Sequence, residues 1–148
     1  MTVNRDGGVF MIDHYEAVVT FLEESGLDPK RLDNNLIQFW HKEERYYFRL
    51  LENKSGLRIF HPRVWHVESH MEFGVATFTA NEINKDSFVV KLFVNENDHY
   101  VYAVIGLFFT ALEEWKNTFF DYMQSLNWAI VEFRQRAHEA MEAERNPE

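Results

Sequence analysis

The sequence predicts an α+β domain in which an antiparallel sheet carries its helices on one face. Two observations carry this prediction. Polar and apolar residues alternate in two stretches that each surround a polar turn, and apolar residues at helical spacing open and close the chain. With 148 residues and 46% hydrophobic content, the chain has the size of one ordinary domain and can build a core. We expect the element order α-β-β-β-α-β-β-α in a single domain.

The N-terminal part is expected to hold one helix and a three-stranded meander. Residues 1–11 are predicted to form a flexible tail. Asp13, followed three positions later by Glu16, has the pattern of a capping box and predicts a helix over residues 13–25, which Gly26 ends. A charged turn at residues 42–45 separates the first two strands, and Pro62 is expected to end the third. The predicted strands are 36–41, 46–52 and 57–61.

The C-terminal part is expected to hold a helix, a hairpin and a long helix. Ser69 and Glu72 form a second capping box, which predicts a helix ending at Asn84, although a strand over residues 73–77 remains an alternative. Strands 87–94 and 99–108 flank a polar turn at residues 95–98. Apolar residues repeat every three or four positions over residues 112–142, which predicts the long helix. The domain is expected to span residues 12–143, with a C-terminal tail at 144–148.

Pairing each hairpin across its turn divides the strand residues into two faces, because residues directly opposite each other share a face. One face is aliphatic, and we expect the helices to cover it. In the second hairpin its predicted members are Phe88, Val90, Leu92, Val101, Ala103 and Ile105. In the first hairpin and the third strand they are Ile37, Phe39, Phe48, Leu50 and Ile59.

The opposite face is predicted to be aromatic with interspersed positive charge. Aromatic residues and arginine are enriched at interface hot spots, and a large apolar patch seldom stays bare in a monomer. We therefore predict a partner-binding surface; the alternative is an ordinary open face decorated by amphipathic side chains. The predicted binding residues are Trp40, Tyr47, Arg49, Arg58, Phe60, Lys91, Phe93, Tyr100 and Tyr102, with Gln38 beside them.

The overall composition narrows the classes of partner. The formal net charge is −9 and the sequence pI is near 5.2, so phosphate backbones and anionic membranes repel the chain unless cations cluster on one face. The absence of cysteine excludes disulfides, thiol nucleophiles and thiolate zinc sites. The first residues lack the pattern of a secretory signal, and no apolar run is long enough to span a bilayer. We expect a cytoplasmic protein that binds no membrane.

Residues that could support catalysis or bind a metal are scattered. His66 and His70 have the spacing of two ligands on one helix face, with His61 as a third candidate, but the predicted helix start at Ser69 falls between them. Carboxylates occur at turns and helix ends, where they suit a solvated surface. No phosphate-binding loop or nucleophile elbow is present. We expect no cofactor, no metal and no enzymatic activity.

The chain resembles the YbjN family, within the type III secretion chaperone-like fold. The features that carry the resemblance are the Ala80-Asn81-Glu82-Ile83-Asn84 step, the hairpin over 87–108, and the long helix with Trp115, Phe119 and Phe120. Related secretion chaperones are small, acidic, dimeric and non-enzymatic, and they bind extended segments of partner proteins. The resemblance therefore implies a homodimer with a protein partner. The chain departs from the pattern in its aromatic second sheet face and over residues 62–70.

The sequence favours a non-enzymatic protein-binding module, chaperone-like or regulatory, that acts through the aromatic face. One alternative is a small-molecule-binding domain or an enzyme with a pocket between helix and sheet, near His61, His66 and His70. Another is a platform for single-stranded RNA, whose bases stack on exposed aromatic rings. The overall negative charge disfavours nucleic acid.

Overall fold

The computed structural model describes residues 8–33, 35–51, 56–108 and 111–146. These form a single α+β domain with a six-stranded antiparallel sheet and helices packed on one face, as predicted. The strand order is β1-β2-β3-β4-β6-β5. The elements are α1 (Gly8–Glu24), β1 (Lys30–Asp33), β2 (Leu36–His41), β3 (Glu44–Leu51), β4 (Gly56–His66), α2 (His70–Asp86), β5 (Lys91–Asn95), β6 (Tyr100–Phe108), α3 (Leu112–Lys116) and α4 (Phe119–Arg145).

The predicted element order is confirmed, with a short edge strand, β1, and a short helix, α3, in addition. The chain packs as two compact units, and the boundaries between them fall within β4, within β6 and at the start of α4. The first unit comprises residues 1–60 and 106–119, and the second comprises 61–105 and 120–148. No helix within the described ranges is both long and apolar enough to cross a bilayer.

In the first unit, a ring cluster forms the centre of the core. Phe21 of α1 makes edge-on contacts with Trp115 and Phe119, whose ring centroids lie 5.1 and 5.3 Å away. Phe39 of β2 and Phe48 of β3 approach the same cluster, and both are fully buried. Burying aromatic side chains of this size supplies much of the stability of a small core.

Helix α1 begins at Gly8, so the start predicted at Asp13 is wrong. The residues before Asp13, Val-Phe-Met-Ile, can continue a helix, and the capping-box pattern therefore marks no boundary here. The end of the helix follows the prediction. Gly26 adopts φ +74°, and the N–H of Leu27 donates to the carbonyl of Leu22 at 3.0 Å. Glycine takes this left-handed conformation without the strain of a side chain.

The first hairpin has a tighter turn than the sequence indicated. Lys42 and Glu43 form a two-residue turn with φ of +49° and +65°, and His41 pairs with Glu44. Two successive positive φ values are the geometry that matches the twist of the flanking strands, although glycine and asparagine are its usual residues. Because neither Lys42 nor Glu43 is of that kind, the short turn was not predictable from its residue types.

Strand β4 runs through Pro62 to His66, so the predicted strand end at Pro62 is wrong. The buried residues His61 and Val64 are three positions apart, which breaks the strict alternation of the strand. At this irregularity the backbone N–H of Arg63 donates to Nδ1 of the His61 side chain at 3.1 Å. Proline is tolerated inside a strand at such irregular positions, because no ladder hydrogen bond is required of it.

The capping box at the start of α2 is confirmed. Ser69 Oγ accepts a hydrogen bond from the N–H of Glu72 at 3.1 Å, and the helix is continuous from His70 to Asp86. The predicted end at Asn84 is wrong, because Asn84 lies inside the helix. Its side-chain amide donates to the carbonyl of Leu92 at 3.0 Å and accepts from the N–H of Leu92 at 2.8 Å. Asn84 therefore extends the hydrogen-bond ladder of β5 at the edge of the sheet.

The second hairpin is shifted by two residues from the predicted register. Its turn comprises residues 96–99, so that Val94 pairs with Val101 and Leu92 with Ala103. A shift of two residues preserves the faces, because side chains alternate with a period of two. The prediction for Phe88 is wrong: it precedes β5 and is 100% exposed.

The predicted long helix is interrupted at Asn117 and Thr118, which divides it into α3 and α4. The hydroxyl of Thr118 lies 3.3 Å from the carbonyl of Trp115 and donates to it. A hydroxyl that bonds to the preceding turn competes with the helical hydrogen bonds and favours such an interruption. Helix α4 continues to Arg145, so residues 144 and 145 of the predicted tail are helical, while 147–148 lie outside the described residues.

Candidate protein-interaction surface

The first unit carries an aromatic and basic surface on β2, β3 and β4, which we call the β2–β4 patch. The strand register arranges it in three cross-strand rows. Opposite residues share a face of the sheet, and all of these side chains are partly or largely exposed. The patch consists of Trp40 opposite Arg45, Tyr47 opposite Phe60, and Arg49 opposite Arg58.

Contacts among the rings and guanidinium groups hold the β2–β4 patch in place. The rings of Tyr47 and Phe60 stack with centroids 5.5 Å apart. Arg45 lies 5.9 Å from the ring centre of Trp40, and Arg49 lies 6.0 Å from that of Phe60. These distances are within the range of cation–π attraction. The surface is therefore preorganised, with each aromatic ring oriented by a neighbour.

The cations of the β2–β4 patch have no carboxylate partner within the described parts of the chain. Arg45, Arg49 and Arg58 form no ion pair there, and Arg49 and Arg58 stand directly opposite each other. Elsewhere the pairing is common: Arg31 lies 2.8 Å from Glu16, and Lys85 lies 2.8 Å from Glu82. The patch therefore concentrates unpaired positive charge on an acidic protein.

In the second unit, β4, β5 and β6 carry the β5–β6 patch: Arg63, His66, Lys91, Phe93, Tyr100 and Tyr102. Phe93 and Tyr102 stand opposite each other and stack with centroids 5.5 Å apart. Tyr100 lies under the ring of His66, at 4.7 Å, and under the guanidinium of Arg63, at 5.3 Å. This patch repeats the chemistry of the first one, with aromatic rings in contact with cations.

Tyr102 is fixed by a short hydrogen bond. Its hydroxyl donates to Oδ2 of Asp98 at 2.6 Å, and Oδ1 of the same carboxylate accepts the N–H of Tyr100 at 3.0 Å. Burial and the bond to Asp98 raise the pKa of Tyr102 to about 12. The phenol therefore stays neutral near pH 7, and the turn that carries Asp98 is tied to the face.

Of the nine predicted binding residues, five lie in the β2–β4 patch and four in the β5–β6 patch. Their role in binding stays a prediction. Sequence reasoning missed Arg45, Arg63 and His66. Arg45 had been assigned to the turn, which is shorter than expected, and the other two follow Pro62, where the strand was expected to have ended. Beyond the expected end of the strand, polar and apolar residues do not alternate, so the sequence does not indicate which side chains are exposed.

The three candidate histidines do not converge. His61 is buried, His66 packs on Tyr100 at the surface, and His70 lies in the first turn of α2. No cluster of three or more metal-ligating side chains occurs in the described residues. A cleft of about 480 Å³ at the start of α2 takes in His70, but neither of the other two. Its lining is Val67, Glu68, Ser69, His70, Phe73, Val94, Glu96 and His99.

Comparison with known proteins gives a likeness in fold. No family model and no curated protein sequence matches the chain. The crystal structure of YbjN from E. coli, named as a candidate transcription regulator, aligns with a TM-score of 0.58 at 13% identity over 84% of this chain and 93% of its own. An uncharacterized protein from Methanothermobacter thermautotrophicus aligns with a TM-score of 0.58 at 16% identity, over 86% and 98% of the two chains. The predicted resemblance to YbjN is thus confirmed at the level of the fold.

Proposed function

We propose that this protein is a non-enzymatic, cytoplasmic protein-binding module, regulatory or chaperone-like, that acts through the open aromatic face of its sheet. The observation that carries the proposal is the β2–β4 patch, where stacked rings lie beside arginines that form no ion pair with any described residue. Packing does not require these residues, since the opposite face of the same strands supplies the core. Aromatic residues and arginine are the types that dominate binding energy at protein interfaces.

The structural neighbour supports a regulatory role in general terms. YbjN is named as a candidate transcription regulator, which is not an enzyme class. A fold hosts many functions, so the neighbour supports the binding hypothesis without naming a partner. The main support for the binding hypothesis is therefore the β2–β4 patch of this chain.

Binding through the face is favoured over strand addition at the sheet edges. At one edge, Asn84 occupies both backbone groups of Leu92, and Ser87 Oγ accepts the N–H of Val90 at 3.0 Å. At the other edge, β1 is only four residues long and is fully exposed along its length. Short or capped edges discourage pairing with another chain. The open face remains the larger available surface.

Homodimerisation is part of the proposal, but through a different surface. A two-fold interface sets the same patch of both copies face to face, so arginines of the β2–β4 patch would approach arginines. Helix α4 instead carries Phe120, Trp128 and Val131 on one exposed stripe, at helical spacing. We expect Trp128→Glu to convert a dimer to a monomer in light scattering, while Glu139→Gln leaves the mass unchanged.

The proposed function is tested with the double variant Tyr47→Asp and Tyr102→Asp, compared with Phe78→Asp. Phe78 is 68% exposed on α2, away from the sheet face, and so controls for the loss of an exposed ring. We expect the double variant to lose the proteins that co-purify with the wild type, while its thermal unfolding stays cooperative. Retention of the same proteins by the double variant would contradict the proposal.

A small-molecule site is the second candidate, since the cleft at the start of α2 brings His70 and His99 together with Glu68 and Glu96. Screening metabolites by thermal shift, with His70→Ala and His66→Ala in parallel, tests it. A ligand that stabilises the wild type and the His66 variant, but not the His70 variant, would favour this candidate.

A further inference from the structure

We infer that the β2–β4 patch binds an extended acidic segment of a partner protein, in which two carboxylates four residues apart flank an apolar side chain. This inference rests on the proposed function and names the chemistry of the partner. Three observations carry it: the distribution of unpaired cations, the opposed arginines, and the spacing of the rows.

Unpaired cations of the first unit are concentrated on its open face. Lys30 stands opposite Gln38 and so shares the face of Tyr47. With Lys30 and the three arginines of the patch, four cations on this face lack a carboxylate partner among the described residues. Lys42, in the hairpin turn, is the other cation of the described part of this unit without one. On a chain of net charge −9, such segregation favours an anionic partner.

Arg49 and Arg58 are direct cross-strand neighbours. Like charges in this arrangement repel, and the repulsion destabilises the free sheet. A carboxylate placed above the pair would accept hydrogen bonds from both guanidinium groups and relieve the repulsion. The repulsion between the two arginines therefore lowers the stability of the free protein, and an acidic ligand would relieve it.

The spacing of the rows defines the ligand. Arg45 and Arg49 lie four residues apart on β3, which is about 13 Å along a strand. In an extended segment, side chains at positions i and i+4 lie on one side at the same separation. Between the two arginines lies the stacked pair Tyr47 and Phe60, which offers an apolar contact to the residue at i+2. The pattern is thus acidic, any, apolar, any, acidic.

The test uses fluorescence anisotropy with a labelled peptide in which two glutamates flank a phenylalanine, separated by single serines. Comparison peptides replace the glutamates by glutamines, or move one glutamate next to the other. A single-stranded RNA oligomer of equal charge is titrated in parallel. The protein variants are the double variant Arg49→Gln with Arg58→Gln, and the control Lys42→Glu, which lowers the net charge by the same two units. Circular dichroism confirms that each variant is folded.

We expect the glutamate peptide to bind the wild type and the double arginine variant to bind it at least about tenfold more weakly, with little effect of Lys42→Glu. Rising salt should weaken the binding. Equal binding of the glutamine peptide would overturn the acidic preference while leaving protein binding intact. Tighter binding of the RNA would contradict the proposed function as well, and failure of every peptide to bind at low salt would overturn the inference.

Discussion

The two faces of the β2–β3 hairpin are built from the same two strands, yet they differ in burial and in the chemistry of their contacts. Phe39 and Phe48 point to the core and are fully buried, whereas their neighbours Trp40 and Arg49 point outward. The inner rings pack against Phe119 and Trp115 of the core cluster, whereas the outer rings lie beside cations. The inner face explains why the chain folds, and the outer face explains what the fold can present to a partner.

The difference separates stability from function along a single strand. Truncating a side chain of the inner face should lower the stability of the fold. Truncating a side chain of the outer face should weaken binding instead. Alternation with a period of two makes the separation possible, because neighbouring positions experience core and solvent in turn.

The largest expected effect is on the inner face. Phe39→Ala should lower the free energy of unfolding by about 3–5 kcal/mol, because it removes a fully buried ring and leaves a cavity. Trp40→Ala, at the next position and 42% exposed, should cost less than about 1 kcal/mol. Urea denaturation of the two variants measures the contrast. Equal losses would show that the outer face also holds the fold together.

A smaller effect is expected at the edge of the sheet. Asn84→Ala should lower the free energy of unfolding by about 1–3 kcal/mol, because the buried backbone groups of Leu92 lose their partner. Asn81→Ala, on the exposed side of the same helix, is the matched control and should change little. Hydrogen exchange at Leu92 should accelerate in the first variant alone; unchanged exchange would argue against the capping role of Asn84.

The outer face should respond to alkaline pH through Tyr102. Its raised pKa, about 12, means that the folded state keeps a proton which the unfolded state has released above about pH 10. Stability is therefore fully present below pH 10 and is lost as the pH rises towards 12. Tyr102→Phe should flatten this decline relative to the wild type in denaturation measured at several pH values. Parallel pH profiles for the two proteins would contradict the assignment.

The smallest expected effect is a gain in stability on the outer face. Arg58→Glu places a carboxylate opposite Arg49 and should raise the free energy of unfolding by about 0.2–1 kcal/mol. Lys42→Glu makes the same change of charge in the turn and should not stabilise the protein in this way. Thermal unfolding at low salt measures the difference. A loss of stability for Arg58→Glu would show that the two arginines do not repel each other in the free protein.

The sequence predicted the order of the elements and the two sheet faces because both depend on periodicity. The predicted register of the second hairpin was wrong, but the prediction of which residues share a face was still right. A shift of two residues leaves Leu92 and Val101 on the same side of the hairpin. Helix α2 was predicted from Ser69 and Glu72 because their hydrogen bond is local.

The remaining features depend on particular hydrogen bonds and backbone conformations, which the periodicity of apolar residues does not report. Arg45 lies in β3, within the β2–β4 patch, because Lys42 and Glu43 adopt positive φ values and keep the turn to two residues. Strand β4 continues past Pro62 because a side-chain nitrogen of His61 accepts the backbone N–H of Arg63. Asn84 binds Leu92 across the α2–β5 connection, a role that its sequence context did not indicate.

Site-specific photo-crosslinking tests most directly whether the open face is a protein-binding surface. A photoreactive phenylalanine analogue is placed at Trp40 on the face, or at Phe78 on α2, and each protein is irradiated in its own cells. We predict that the analogue at position 40 forms an adduct of defined mass with a partner polypeptide, and that the one at position 78 does not. Adducts at position 78 alone, or at neither position, would contradict the account.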